Sequence, residues 1–397
     1  MCTVLAAFGA DPETVSTYCR EIEVPLDATH SSAKLAGCGD DAHVDLLWHL
    51  DRIDQMDANL DGHYHRRHTG AGSVVYVMDT GVLASHAEFD TTNGSRVIAG
   101  FDVARSVTVG ASDCASPNKA LQPCFSNFSE LTGASHGTSV ASLVAGQNVG
   151  VAPDALIVSV RVMNESALAT TRTYLDGLDA IIKHAWDPNT PPFHTAVVNI
   201  SGWVLEKLAS MPDPSPVSYA AVERKIREMI GGVDAQGRPD ANGKRFFFVA
   251  AGNNVDSGCG RSGLVDRFPA VLGKQIAGLI TVGGMTEENS WWPGACRGGL
   301  EILAPSEAIF SATITANDHY RGQRPNLRSG TSFAAPIISG IAARMLSENP
   351  NLTPAEIEST IESTPSRIFN PDPNYANGKV AFVQDAPAIM TAQRTAP

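Results

Sequence analysis

The chain is short of positive charge. Its 397 residues carry 29 Lys and Arg against 42 Asp and Glu, a net charge of −13 at pH 7. A balance of that sign repels phosphate backbones and anionic bilayers, so nucleic acid and membrane are excluded as expected partners. Long apolar runs are missing as well. A stretch such as FFFVAAG at 246–252 falls far short of the eighteen or more residues of a membrane helix. The first residues, MCTVLAAFGADPE, include an apolar patch but no basic segment ahead of it, so they are not read as a signal peptide.

Metal-ligand spacing is also lacking: neither C-x-x-C nor H-x-x-x-H occurs, which argues against a zinc site. The seven cysteines are ambiguous and compatible with an oxidising compartment. Cys114 with Cys124, and Cys259 with Cys296, sit in Gly/Ser/Pro-rich loops and could close disulfides. Cys2, Cys19 and Cys38 leave one thiol over whatever the scheme. No internal repeat and no low-complexity tract is present.

What remains is ordinary globular material, 43% apolar and 18% charged. Residues 1–45 show no sustained period and read as a leader or pro-region remnant. From Leu46 the pattern changes. SVVYVM (73–78) is a continuous β-branched run of the kind buried on both faces of a parallel sheet, and similar runs follow at 155–163, 195–201, 245–251 and 279–284. Amphipathic helices alternate with them. In TYLDGLDAIIKHAW, Tyr174, Leu178, Ile181, Ile182 and Ala185 share one face; residues 217–230 carry a charged face; 353–364 opens with Thr-Pro and acidic residues. The alternation predicts an α/β fold, a doubly wound, mainly parallel central sheet with helices on both faces. One domain is expected over 46–367, followed by a peripheral Pro/Ala-rich tail at 368–397. Ligands of such sheets bind beyond the carboxyl ends of the strands.

Three places there carry chemistry. Asp79 follows the strand in VVYVMDTGV, His136 opens a helix in GASHGTSVASLVAG, and Ser332 opens another in SGTSFAAPIISG. Each has an ordinary explanation when taken singly: a turn former, a packed histidine, a helix N-cap. Together they are a carboxylate, a base and a nucleophile, the set an acyl transfer requires. Pro336 near the start of the last helix is tolerable there if it falls among first-turn positions, whose N–H groups have no intrahelical partner. A second arrangement is available, since GASHG (133–137) fits G-x-S-x-G with Ser135 as nucleophile. That elbow needs a buried strand directly before it, and CFSNFSELT is too polar to be one.

The segments VMDTGV, HGTSVASLVAG, GVAPDALI, VVNIS, VAAGNN and SGTSFAAPIISG resemble the subtilisin-like serine peptidases, the subtilase family, and most closely its proteinase K-like branch. The chain order Asp…His…Ser is that of subtilisin, a likeness and not a derivation. The likeness runs from about Leu46 to Arg367. It implies a serine-type endopeptidase acting on proteins or peptides outside the cell or in the secretory pathway, as a monomer. It places the catalytic roles on Asp79, His136 and Ser332, and oxyanion donation on Asn253, which follows the strand FFFVAAG. Ser201, Gly202, Ala250, Ala251 and Gly252 would flank the substrate, and the small residues 250–252 suggest a roomy apolar pocket. No cofactor is implied for the chemistry. Structural calcium is common in the family, and Glu301 matches a position often held by a calcium-binding aspartate, but one carboxylate defines no site.

Departures from the family pattern are specific. Ser139 and Ser142 stand where a second histidine and a glycine are typical, and Ile337 where histidine is common. After Ser201 the usual large residue followed by glycine is reversed, as Gly202-Trp203. The reversal puts cleavage preference in question, and an inactive, binding-only member is the competing expectation. Residues 1–45 are shorter and less regular than a folded inhibitory pro-domain, which points to an incomplete sequence or a different route of maturation.

Overall fold

The computed structural model describes residues 31–34, 47–54, 60, 63–66, 68–92, 94–104, 135–163, 168–204, 217–252, 259, 265, 267–314, 320–321, 324–363 and 379–382. The expected leader falls almost wholly outside them, as do Cys2, Cys19, Cys38, Cys114, Cys124 and Asn253. Seven strands form one sheet: β1 (Val74–Asp79), β2 (Val97–Asp102), β3 (Leu156–Arg161), β4 (Thr195–Ile200), β5 (Arg245–Ala251), β6 (Leu279–Met285) and β7 (Ile302–Pro305). Their spatial order is β7-β6-β5-β4-β1-β3-β2, and every pairing is parallel. From β1 the sheet grows in sequence order through β4 to β7 on one side and through β3 to β2 on the other. The winding therefore reverses beside β1, and a crevice opens beyond its carboxyl end.

The core strands are mostly apolar because both faces are covered. Val75, Val77, Val197, Phe247 and Val249 pack with α2 (Ser135–Ala145), α5 (Thr331–Glu348) and α6 (Pro354–Glu362). The alternate residues Val74, Tyr76, Met78, Val198, Phe246 and Phe248 pack with α3 (Thr171–Ala185) and α4 (Tyr219–Gly231). A short N-terminal helix, α1 (Trp48–Ile53), adds Trp48, Leu50 and Ile53 to the first of these layers. The helix starts follow local chemistry. Thr170, Ser218 and Thr353 cap α3, α4 and α6, and Thr353 forms a capping box with Glu356 behind Pro354.

Five strands and the doubly wound class match the sequence pattern; the two edge strands, β2 and β7, escaped it. Part of the expected peripheral tail is also built in. Lys379 O accepts from Leu303 N at 2.8 Å, Leu303 O accepts from Ala381 N at 2.8 Å, and Val380 and Ala381 are buried along the β7 edge. One disulfide stands among the described residues, Cys259–Cys296.

Glu301 lies just before β7 and faces inward. One carboxyl oxygen accepts from Thr281 N at 2.6 Å, and the other is buried without a hydrogen-bond partner among the described residues. A Cβ on Gly273 would come within 2.5 Å of that side chain. Among the described residues no three His, Cys, Asp or Glu side chains converge to hold a metal. Calcium is held by six or more oxygens, of which Glu301 would supply one carboxylate. Burial pushes the carboxyl up to about 8, against the pull of the Thr281 amide and Lys274. The folded state thus keeps a proton that the unfolded chain gives up near pH 4.5. The associated stability is complete below that value and is lost as pH rises through about 8. Glu301→Gln should therefore lose less Tm between pH 5 and pH 9 than the parent, by a few degrees in thermal melts; equal losses would refute the assignment.

Candidate active site

Asp79 is the last residue of β1 and is completely buried. A buried carboxylate must be compensated locally. Thr80 N donates to its Oδ1 at 2.7 Å, and His136 Nδ1 lies 2.8 Å from Oδ1 and 3.0 Å from Oδ2. An ionised carboxylate only accepts, so the proton of this contact sits on Nδ1 and leaves Nε2 as the acceptor of the neutral ring. His136 is the more open partner, with 28% of its side chain exposed against 0% for Asp79.

His136 stands in the first turn of α2, and the turn is built onto the end of β1. Gly137 N donates to Thr80 Oγ1 at 3.0 Å and Leu83 N to Thr138 Oγ1 at 2.9 Å. Position 137 has no room for a side chain: a Cβ would stand 2.3 Å from Gly81 O and 3.1 Å from Asp79 Oδ1. Ser139 and Ser142, the departures in this motif, are both buried and face the segment after β7. Ser139 Oγ donates to Ala312 O at 2.7 Å, Ser142 Oγ accepts from Ala312 N at 3.1 Å, and Asn326 Nδ2 reaches Ala312 O at 2.8 Å.

Ser332 is the second residue of α5. The N-cap is Gly330, at φ +151°, and no side chain caps the helix. The capping explanation for Ser332 therefore fails. Its neighbours tie it to the other motifs: the Phe333 ring lies 5.3 Å from the His136 ring, and Thr331 Oγ1 donates to Gly252 O at the exit of β5. Gly330 N donates to Ser306 O at 2.8 Å, which fixes the turn from below. Pro336 is not a first-turn residue. It lies in the second turn, where its missing N–H leaves the Ser332 carbonyl without the usual i+4 donor. Ile337, in place of a common histidine, is fully buried in the core.

The flanking strand ends are also in place. Ile200 pairs with Ala250 across β4 and β5, so Ser201 and Gly202 leave the sheet beside Ala251 and Gly252. Asn199 Nδ2 donates to Ser201 Oγ at 2.9 Å and accepts through Oδ1 from Ser339 Oγ of α5 at 2.9 Å. Gly252 N donates to Val282 O at 2.8 Å. Asn253, expected next to these atoms, lies outside the described residues, as does the Ser135 side chain. The supporting roles of Thr80, Thr331 and Phe333 went unread in the sequence; Thr331, the threonine of the G-T-S turn, was the one with a visible signal.

With the Asp79–His136 pair and the Ser332 turn at one end of one sheet, the relatives can be compared. The subtilase family model matches residues 70–382. The chain is 29% identical over 328 residues to the alkaline serine exoprotease A of Vibrio alginolyticus, covering 81% of this chain and 47% of that protein. It is 30% identical over 329 residues to an extracellular serine proteinase of Thermus sp. (strain Rt41A), covering 81% and 63%. A cuticle-degrading serine protease of Orbilia oligospora is 28% identical, with 81% and 61% covered. The chain thus spans between about half and two-thirds of the length of these relatives. The crystal structure of a cold adapted subtilisin-like serine proteinase superposes with a TM-score of 0.59 at 26% identity, covering 85% of this chain and 98% of that one. Over nearly the whole of the described sheet and its helices, then, the chain belongs to the subtilase family of serine peptidases.

Proposed function

We propose that the chain is a serine endopeptidase that cleaves peptide bonds in proteins through Asp79, His136 and Ser332, working as a monomer outside the cell. The observation that carries this reading is the buried Asp79 carboxylate holding His136 by Nδ1 at 2.8 Å, beside a helix start where Ser332 performs no capping. Two relatives of this chain carry the words extracellular or exoprotease in their names, and no described helix is long and apolar enough to cross a membrane.

Ser332 Oγ attacks the scissile carbonyl carbon as His136 Nε2 takes its proton, and the carbonyl π pair moves onto oxygen. The Ser332 N–H, at the positive end of α5, and the Asn253 side-chain amide stabilise that oxyanion. Asp79 keeps the imidazole oriented and balances its charge without taking the proton. As the tetrahedral intermediate collapses, His136 passes the proton to the departing amine and the C–N bond breaks. Water then attacks the acyl-enzyme, giving up a proton to His136. Departure of Ser332 Oγ, reprotonated by His136, releases the acid.

A fluorophosphonate probe should label Ser332 and no other residue; labelling at Ser135 or none at all on folded protein overturns the reading. Ser332→Ala should abolish casein cleavage with an unchanged Tm. Asp79→Asn should leave the fold intact and lower kcat by about 10⁴-fold, because the amide favours the wrong histidine tautomer. Asn253→Ala should lower kcat by roughly 10²–10³-fold with little change in KM, a range established on a subtilisin.

A further inference from the structure

The reversed pair Gly202-Trp203 moves bulk from one place in the cleft to another, and the structure says where. A Cβ at Gly202 would stand 2.2 Å from Met163 Cε, so Met163 already fills the space beside this residue. Below it the Tyr174 hydroxyl is fully buried, and the same Cβ would come within 3.9 Å of it. A side chain at position 202 would have to displace the Met163 methyl group. The bulk stands one residue later, on Trp203.

Trp203 is half-buried and lies where β4 leaves the sheet. The guanidinium of Arg267 stands 4.8 Å from its ring centroid. Arg267 belongs to a segment that crosses from the exit of β5 to the exit of β4. At one end Val265 would touch a Cβ on Gly252 at 3.4 Å; at the other Phe268 O accepts from Val204 N at 3.1 Å. Tyr219 stacks on Phe268 at 4.8 Å and donates to Val204 O at 3.1 Å, which fixes the crossing segment to α4. Val265 and Phe268 thus stand at the two strand ends, with Arg267 between them in the chain. The Trp203 ring, pinned by the Arg267 cation over its face, stands against that segment.

We propose that Trp203, held by Arg267, is the specificity-determining residue of the pocket between 201–203 and 250–252. It makes that pocket shallow, so the substrate residue supplying the attacked carbonyl is small. The small residues 250–252 alone suggested the opposite, a roomy pocket. The inference rests on the peptidase reading, because it takes this gap as the site of that residue. Size discrimination by an apolar wall is worth about tenfold or more for a group as large as a phenyl ring.

The test is a matched peptide-amide series with Ala, Leu or Phe at that residue. In the parent enzyme kcat/KM for Ala should exceed that for Phe by about tenfold or more. Trp203→Ala should raise kcat/KM for Phe by about tenfold while moving Ala by much less, Trp203→Phe should fall between, and Arg267→Met should relax the preference in the same direction. A parent that favours Phe, or a Trp203→Ala protein that folds by its Tm and shifts all three peptides equally, overturns the proposal. The same series is titrated against Ser332→Ala, whose affinities read pocket size without catalysis. Should the parent hydrolyse nothing, a preference for Ala over Phe in binding that Trp203→Ala abolishes still supports the shallow pocket, while equal binding overturns it.

Discussion

Everything at the candidate site depends on one buried charge. Asp79 has no contact with solvent, and a carboxylate in that position is tolerable only if its oxygens are satisfied by fixed donors. The donors are the Thr80 amide and the His136 ring, at 2.7 and 2.8 Å. That requirement dictates the neighbourhood. The helix bearing His136 must begin against the end of β1, which is why Thr80 takes the Gly137 amide and why position 137 can carry no side chain. The parallel sheet supplies the place. A reversal of winding beside β1 opens a crevice at its carboxyl end, and the carboxylate needs to be at its inner wall.

Much of this was legible in the sequence for a physical reason. The five strands read correctly are buried on both faces, so their residues are predominantly apolar on both. The two missed strands are the sheet edges. In β2 only Val97 and Gly100 are buried, and its pairing with β3 shifts register between Val97 and Ala99; β7 is four residues long and ends in proline. Edge strands need neither the length nor the continuous burial that makes a strand visible. Asp79, His136 and Ser332 were each ambiguous singly and became informative only as a set, because a turn former, a packed histidine and an N-cap use the same residue types as a triad.

The N-cap ambiguity at Ser332 was beyond the sequence, since S-G-T-S offers two serines, a threonine and a glycine as caps. The backbone decides it. At φ +151° Gly330 takes a conformation open to glycine, and the helix begins there with no side-chain cap. Thr331 is turned away to Gly252 instead. The residues of one turn thereby divide their duties: Gly330 starts the helix, and Thr331 ties it to the exit of β5. Pro336 removes the donor to the Ser332 carbonyl one turn later, a local irregularity in the helix that carries the nucleophile.

The departures from the family pattern at Ser139, Ser142 and Ile337 fall on the two helices that bear His136 and Ser332. Both of these residues lie in first turns, so their separation is set by how α2 and α5 pack. Gly340 brings the helices close: a Cβ there would meet Val151 Cβ at 2.5 Å and Val144 O at 3.3 Å. Ile337 fills the apolar part of that layer, and Ser139 and Ser142 grip both polar groups of Ala312 from the α2 side. Buried serines tie α2 to the segment after β7, an isoleucine of α5 fills the core, and none of the exchanged groups is among the hydrogen-bond partners of Asp79.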